Sequence, residues 1–201
     1  HSDDVGMHSL KTADAIHPRY PLLRLIALFH DLGKPERKRW MKDQGDYVFY
    51  GHQFPSADKA VEIMNRLRFP TREIDLARRM IENHMVRLGP EATASSIRRL
   101  MRRVGRENIR SFLRIRIADR KANALKGPGL EPGLYHVIRT IRRIERDMDA
   151  LKITDLAIGG KDLIEMGLKP GPIFSEILHI LLERVLDDPS RNTRECLLPL
   201  A

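Results

Sequence analysis

The chain holds a single cysteine, Cys196. It cannot form an internal disulfide, so folding does not depend on oxidation. No run of about 18 apolar residues occurs, which excludes an apolar membrane-spanning helix. No secretory pattern opens the sequence, and a cytoplasmic location is the expectation. An initiator Met is also missing, so a longer parent chain is expected. There is no internal repeat and no low-complexity stretch, which excludes a solenoid. Acidic residues are short relative to basic ones, 27 against 36, leaving a net charge of +9.

Arginine dominates that excess, with 26 Arg against 10 Lys. Its planar, bidentate donors suit phosphate, so polyanion binding is the natural reading. At 201 residues the chain can bury one main core, or a main domain with a small appendage.

Helical periodicity runs through the sequence. Helices are expected over 1–16, 20–31, 52–68, 71–88 with Thr71 as N-cap, 93–104, 107–125 and 132–151. Glycine and proline punctuate them, at Gly33, Pro35, Gly89, Pro90 and the 127–129 loop. Residues 39–50 differ. Trp40, the Gly45-Asp46 turn and Tyr47 to Tyr50 read as an extended loop or small hairpin. After Leu151 come a short helix over 161–166 and a last helix over 173–186. Residues 152–201 read as a small helical appendage. The expected class is all-α.

Chemistry concentrates at six residues: His8, His30, Asp31, His52, His84 and Asp119. His30 and Asp31 end the apolar run from Leu25 to Phe29. An imidazole and a carboxylate there are costly unless partnered, and a metal ion satisfies both. His52 follows Gly51, and His84 nears a helix end. Asp119 sits among Ile115, Ile117 and Ala118, where a lone carboxylate is expensive. Several helices bringing such groups together is the usual build of a metal site in a helical bundle. His17, His136 and His179 lack this setting and read as surface or locally satisfied residues.

In order and spacing these residues resemble the HD superfamily of metal-dependent phosphohydrolases. The specific parts are Asp4-Val5 before His8 and the block His30-Asp31-Leu32-Gly33-Lys34-Pro35. Within it the chain is most similar to the HD region of bacterial CCA-adding and poly(A) polymerase family proteins. The stretch Gly160 to Pro172, followed by Glu176-Ile177-Leu178, carries that likeness. One departure is Gln53 and Ser56 where the family often has Glu and Gly.

The resemblance implies an HD helical bundle over 1–151 and a family tail over 152–201. It implies that His8, His30, Asp31 and Asp119 hold one divalent ion (Mn, Ni, Mg, Fe, Co or Zn). His52 and His84 would hold a second, with Asp31 bridging, or face the substrate phosphate. Asp31, Lys34, His52 and His84 are then the catalytic candidates, with Lys34 neutralising a phosphate oxygen. The reaction is phosphoester hydrolysis, at 2′,3′-cyclic or 2′-phosphate ends or on small phosphoesters. Nucleotide addition is not expected of this chain alone, because the Gly-Ser strand-turn and Asp-x-Asp pair of the family are missing. An N-terminal nucleotidyltransferase domain in a parent chain is expected to supply them.

Arg98, Arg99, Arg102, Arg103, Arg106, Arg110, Arg139, Arg142 and Arg143 crowd successive helices with few acids nearby in sequence. They are expected to grip an RNA or tRNA backbone through phosphates, reading shape rather than bases. An alternative function follows, an RNA-binding scaffold without hydrolysis. A weaker one is a nucleotidase or alarmone hydrolase.

Overall fold

The structure is a computed structural model that describes residues 4–43, 45–123 and 133–201. The expected loop at 127–129, the start of the first helix and the end of the 107–125 helix lie outside the described residues. What is described is mostly α-helical, with one two-stranded hairpin. No described helix is long and apolar enough to cross a membrane.

The chain divides into two compact units, His1–Arg87 with Arg103–Pro132, and Leu88–Arg102 with Gly133–Ala201. This cut differs from the expected division at 151/152. Residues 152–201 fall in one unit with segments that precede them, 88–102 and 133–151, and Ala150 belongs to their buried cluster.

In the first unit, α1 (Val5–Asp14) is capped by Asp4, whose carboxylate accepts from the Met7 N–H at 2.7 Å. α2 (Pro21–Phe29) opens on proline, which suits a first turn. It contacts α1, α3 (Gln53–Arg66), α4 (Thr71–Asn83) and α6 (Ile109–Ala122), so it lies at the centre of the unit. Ile26 and Ala27 are fully buried accordingly. α3 and α4 pack closely, through the buried small residues Ala57, Ala60 and Ala77.

Two helix limits differ from expectation. Thr71 is the first helical residue of α4, not its cap; Pro70, at ψ 140°, holds that position. α4 also stops at Asn83 instead of 88. There the Asn83 amide turns back to the Arg79 carbonyl and the His84 ring to that of Ile81. Such side-chain bonds compete with helix continuation.

The hairpin is present. β1 (Arg39–Met41) pairs antiparallel with β2 (Asp46–Val48), Trp40 opposite Tyr47. Their rings meet edge-on, 5.0 Å apart. Cross-strand aromatic pairs of this kind stabilise a ribbon that would be marginal alone.

In the second unit, most of α5 (Ala94–Val104) joins α7 (Leu134–Arg146), α8 (Gly160–Glu165), α9 (Pro172–Asp187) and α10 (Arg194–Leu197). Leu163, Leu181, Val185 and Leu197 form part of one buried cluster. α10 was not foreseen, since four residues carry almost no periodic signal. Thr193 caps it, accepting from the Cys196 N–H at 3.3 Å.

Candidate metal centre

All six candidate ligands meet in the first unit. His8 comes from α1, His30 from the end of α2, His52 from the start of α3, His84 from the end of α4 and Asp119 from α6. Asp31 follows His30. All are buried or nearly so.

Local backbone explains the aim of three rings. His30 Nδ1 lies 2.7 Å from the Ala27 carbonyl, His52 Nδ1 2.7 Å from that of Phe49, and His84 Nδ1 2.6 Å from that of Ile81. A carbonyl only accepts, so each Nδ1 carries the proton. Each ring thereby turns its Nε2 toward the centre. This is the orientation that metal-ligating histidines usually receive from a carbonyl.

Two glycines make the geometry possible. Gly51, at φ 76°, turns the chain into His52. Gly33 lies against the first turn of α3, and its N–H donates to Ser56 Oγ at 2.8 Å. A Cβ on Gly33 would come within 2.6 Å of the His52 carbonyl oxygen and of the Ser56 nitrogen. The His30-Asp31 turn is thereby seated directly on the helix that carries His52. Ser56, one of the departures from the family pattern, supplies the acceptor in this contact.

Asp31 sits between two pairs of histidines. Its Oδ2 is 3.3 Å from His30 Nε2 and 3.6 Å from His8 Nε2. Its Oδ1 is 3.0 Å from His52 Nε2 and 3.7 Å from His84 Nε2. Asp119 Oδ1 closes the first group, 3.0 Å from His8 Nε2 and 3.8 Å from His30 Nε2. Two triads, His8–His30–Asp119 and His30–Asp31–His84, each place their ligand atoms within 4.8 Å of one another.

The residues fit a cation. His52 Nε2 and His84 Nε2 stand 3.1 Å apart. With both Nδ1 atoms donating to carbonyls, the facing Nε2 atoms need a cation between them, a proton or a metal ion. Asp31 Oδ2 is buried with no hydrogen bond of good geometry, although Lys34 Nζ forms an ion pair with it at 2.6 Å. Nitrogen and oxygen donors of this kind suit first-row divalent ions.

The electrostatics point the same way. Burial works against charge on His30, but Asp31 and Asp119 outweigh it and raise its pKa. Burial likewise opposes ionisation of both carboxyls. His30, His52 and Lys34 nevertheless hold Asp31 well below the usual carboxylate range. His30, His8 and Arg116 do the same for Asp119. Burial, then the charge of His30, push His84 down to about 3, so it is neutral near pH 7.

A pocket of about 400 Å³ opens onto the centre. Segment 48–53 and Met85 line it beside the ligands. Lys34, expected to meet a phosphate oxygen, is buried and engages Asp31 in this geometry. Arg116 is a residue that the sequence did not single out for the site. It donates to the His84 carbonyl and approaches Asp119 to 4.0 Å. Its position three residues before Asp119 on one helix was the available signal.

The arginines separate into groups. Arg98 is 5% exposed. Its Nε donates to the Leu186 carbonyl at 2.7 Å, one Nη to Asp149 at 3.1 Å and the other to the Asp187 carbonyl at 3.1 Å. It ties down the end of α9 and has no surface to offer a phosphate. Arg99 pairs with Glu183 and Asp187, and Arg102 with Glu183. These acids stand 81 to 88 positions away in sequence, beyond any local spacing rule. Arg103 donates to Asn83 Oδ1 at 2.7 Å. Arg110 is exposed and Arg106 partly so. On α7, Arg139, Arg142 and Arg143 line a pocket of about 420 Å³ with His136, Thr140 and Arg146. These three make no ion pair among the described residues.

The sequence has relatives among known proteins. The family described as tRNA nucleotidyltransferase domain 2 matches residues 51–201. The A-adding tRNA nucleotidyltransferase of Deinococcus radiodurans is 32% identical over 193 residues, covering 91% of this chain and 43% of that protein. The CC-adding tRNA nucleotidyltransferase of Thermus thermophilus is 31% identical over 167 residues, covering 83% of this chain and 36% of its own length. The chain thus spans less than half the length of these curated relatives. No solved structure matches significantly. With more than half of its residues matched, the chain belongs to the tRNA nucleotidyltransferase family.

Proposed function

We propose that the chain carries an HD-type, divalent-metal phosphohydrolase centre, part of a protein that acts on tRNA. The observation that carries this reading is the arrangement of Nε2 atoms around Asp31. Four Nε2 atoms surround one carboxylate, two to each of its oxygens, and three of the four rings are held by backbone carbonyls.

Asp31 is suited to bridge two positions. His8, His30 and Asp119 complete the first, and His52 and His84 the second. An ion held there supplies Lewis acidity toward a phosphoryl oxygen and toward water. The chain's own groups do the rest. Asp31 and Asp119, kept ionised, provide the negative field that retains a cation. His84, kept neutral, offers an acceptor at the pocket wall. Lys34 balances the charge of Asp31 at the pocket wall, within reach of an entering phosphate. The substrates are phosphoesters of nucleotides or RNA ends, with 2′,3′-cyclic and 2′-phosphate ends first. The HD region covers 1–151 in this reading, with 152–201 as the family tail.

Elemental analysis of the purified chain tests it, beside a variant with His30→Ala and Asp31→Ala. One or two divalent ions per chain, lost in the variant, is the expected result. Hydrolysis of a nucleoside 2′,3′-cyclic phosphate should vanish with the metal. A wild-type chain that takes up no metal after reconstitution with Mn, Ni or Mg refutes the reading.

A second reading is an RNA-binding scaffold. Arg139, Arg142 and Arg143 favour it, since no described acid neutralises them. The two readings are compatible, and RNA binding without hydrolysis would leave only the second.

A further inference from the structure

The hairpin beside the metal pocket carries features that neither the fold nor the ligand set requires. Four cations surround it, Arg37, Lys38, Arg39 and Lys42, all exposed. Two aspartates, Asp43 and Asp46, oppose them. Arg37, Arg39 and Lys42 make no ion pair among the described residues. Lys38 Nζ lies 4.2 Å from the centre of the Tyr47 ring.

Three exposed aromatic rings lie on the hairpin or just after it. Trp40 is 54% exposed, Tyr47 46% and Tyr50 70%. The Trp40–Tyr47 pair has a structural purpose, since edge-on rings hold the two strands together. Tyr50 has none. It makes no ring contact and no side-chain hydrogen bond among the described residues, yet it lines the pocket that opens onto the ligand cluster. Phe49, from the same pocket wall, joins it directly to β2. In a chain with only eleven Phe, Trp and Tyr residues, this concentration is specific to one place.

Exposed rings interleaved with unpaired cations are the means by which proteins hold single strands. Bases stack on the rings while the cations follow the backbone. Duplexes offer no free base faces to such a surface. We infer that the hairpin 39–48 and Tyr50 form a docking platform for single-stranded nucleic acid, leading its terminal nucleotide into the metal pocket. Tyr50 stacks the terminal base, and the Trp40–Tyr47 pair with Arg39 and Lys42 holds the preceding nucleotides. This inference rests on the phosphohydrolase reading for the identity of the pocket. It adds the selecting element, which is an unpaired strand end rather than a small phosphoester or a helical stem.

Trp40 is the only tryptophan of the chain, so fluorescence excited selectively at tryptophan reports on the hairpin without the four tyrosines. The metal-loaded chain is titrated with a single-stranded hexaribonucleotide and with a duplex of the same sequence. The single strand should quench Trp40 to saturation, and the duplex should not. Raising salt from roughly 50 to 200 mM should weaken the binding. Tyr50→Ala should raise the apparent Kd about tenfold, the order expected for one base–aromatic stack. Tyr50→Phe, which keeps the ring, should bind like the wild type. The Trp40–Tyr47 pair is untouched in both variants, so the reporter survives.

Absence of quenching, equal quenching by the duplex, or unchanged binding by Tyr50→Ala each overturns the inference. Metal content, measured on the same samples, keeps the two readings apart. A metal-loaded, hydrolytic chain without quenching loses the platform alone. A chain that takes up no metal but shows single-strand quenching sensitive to Tyr50 retains the platform and loses the phosphohydrolase.

Discussion

Gly33→Ala is the sharpest perturbation the geometry offers. The new methyl would lie 2.6 Å from the His52 oxygen, 2.6 Å from the Ser56 nitrogen and 2.8 Å from Pro55 Cγ. Two of these three atoms are backbone, so no side chain can swing aside to relieve the contact. Ordinary carbon contact begins near 3.4 Å, so the start of α3 and the His30-Asp31 turn must part by about 0.8 Å. Overpacking of this kind costs about 1–3 kcal/mol. A chain of this size loses roughly 2–4 °C in Tm per kcal/mol, so a drop of about 2–12 °C is expected. The same movement carries His52 away from Asp31 Oδ1, now 3.0 Å distant. Displacement on the order of 1 Å at a catalytic group can cost up to about 100-fold in rate. Circular dichroism melting, metal content and hydrolysis of a cyclic phosphodiester read the three consequences. Ser56→Ala is the companion variant. It removes only the acceptor of the Gly33 N–H and should cost about 1 kcal/mol, with metal content retained. A Gly33→Ala chain that melts with the wild type and holds the same metal would refute the argument that this contact sets the site.

Two further outcomes are expected. Arg98→Ala leaves Asp149 and the final carbonyls of α9 without their buried donor, so it should lower stability on the order of 3 kcal/mol while metal content stays unchanged; thermal melts and elemental analysis check both. Arg142→Glu with Arg143→Glu should weaken RNA binding and flatten its salt dependence by roughly two phosphate contacts, with Tm unaffected, as measured by anisotropy titrations at several salt concentrations.

Much of the candidate site was legible because its ligands sit at helix ends or among apolar residues, where an unpartnered polar group is costly. His30 and Asp31 close α2, and His84 closes α4, so the cost of burying them was visible in one dimension. The hairpin was legible from its aromatics and its turn. Arg98 was not. Its position among other arginines suggested an exposed basic face, but its partners, Asp149 and the carbonyls of 186 and 187, lie 51 to 89 positions away. Glu183 and Asp187 neutralise Arg99 and Arg102 from the same remote helix. Local charge counting sees only neighbours at i+3 and i+4. The division into units was hidden for a related reason. The segment 88–102 looks continuous with what precedes it, and only its remote polar partners on α9 reveal where it belongs.

That interleaving has a consequence in time. The ligand cluster lacks its last member until Asp119 is made, and the first unit is complete in sequence at 132. The second unit begins earlier, at Leu88, yet it cannot close until α9 reaches 187. At translation speeds of about 5–20 residues per second, that interval is roughly 3–11 s. For those seconds Arg98 waits without the carbonyls it will bind, and the apolar residues of α5 and α7 wait for the rest of their unit. The nascent chain is therefore most vulnerable to proteolysis and misassociation in 88–102 and 134–146, after the metal-ligand residues have all been synthesised.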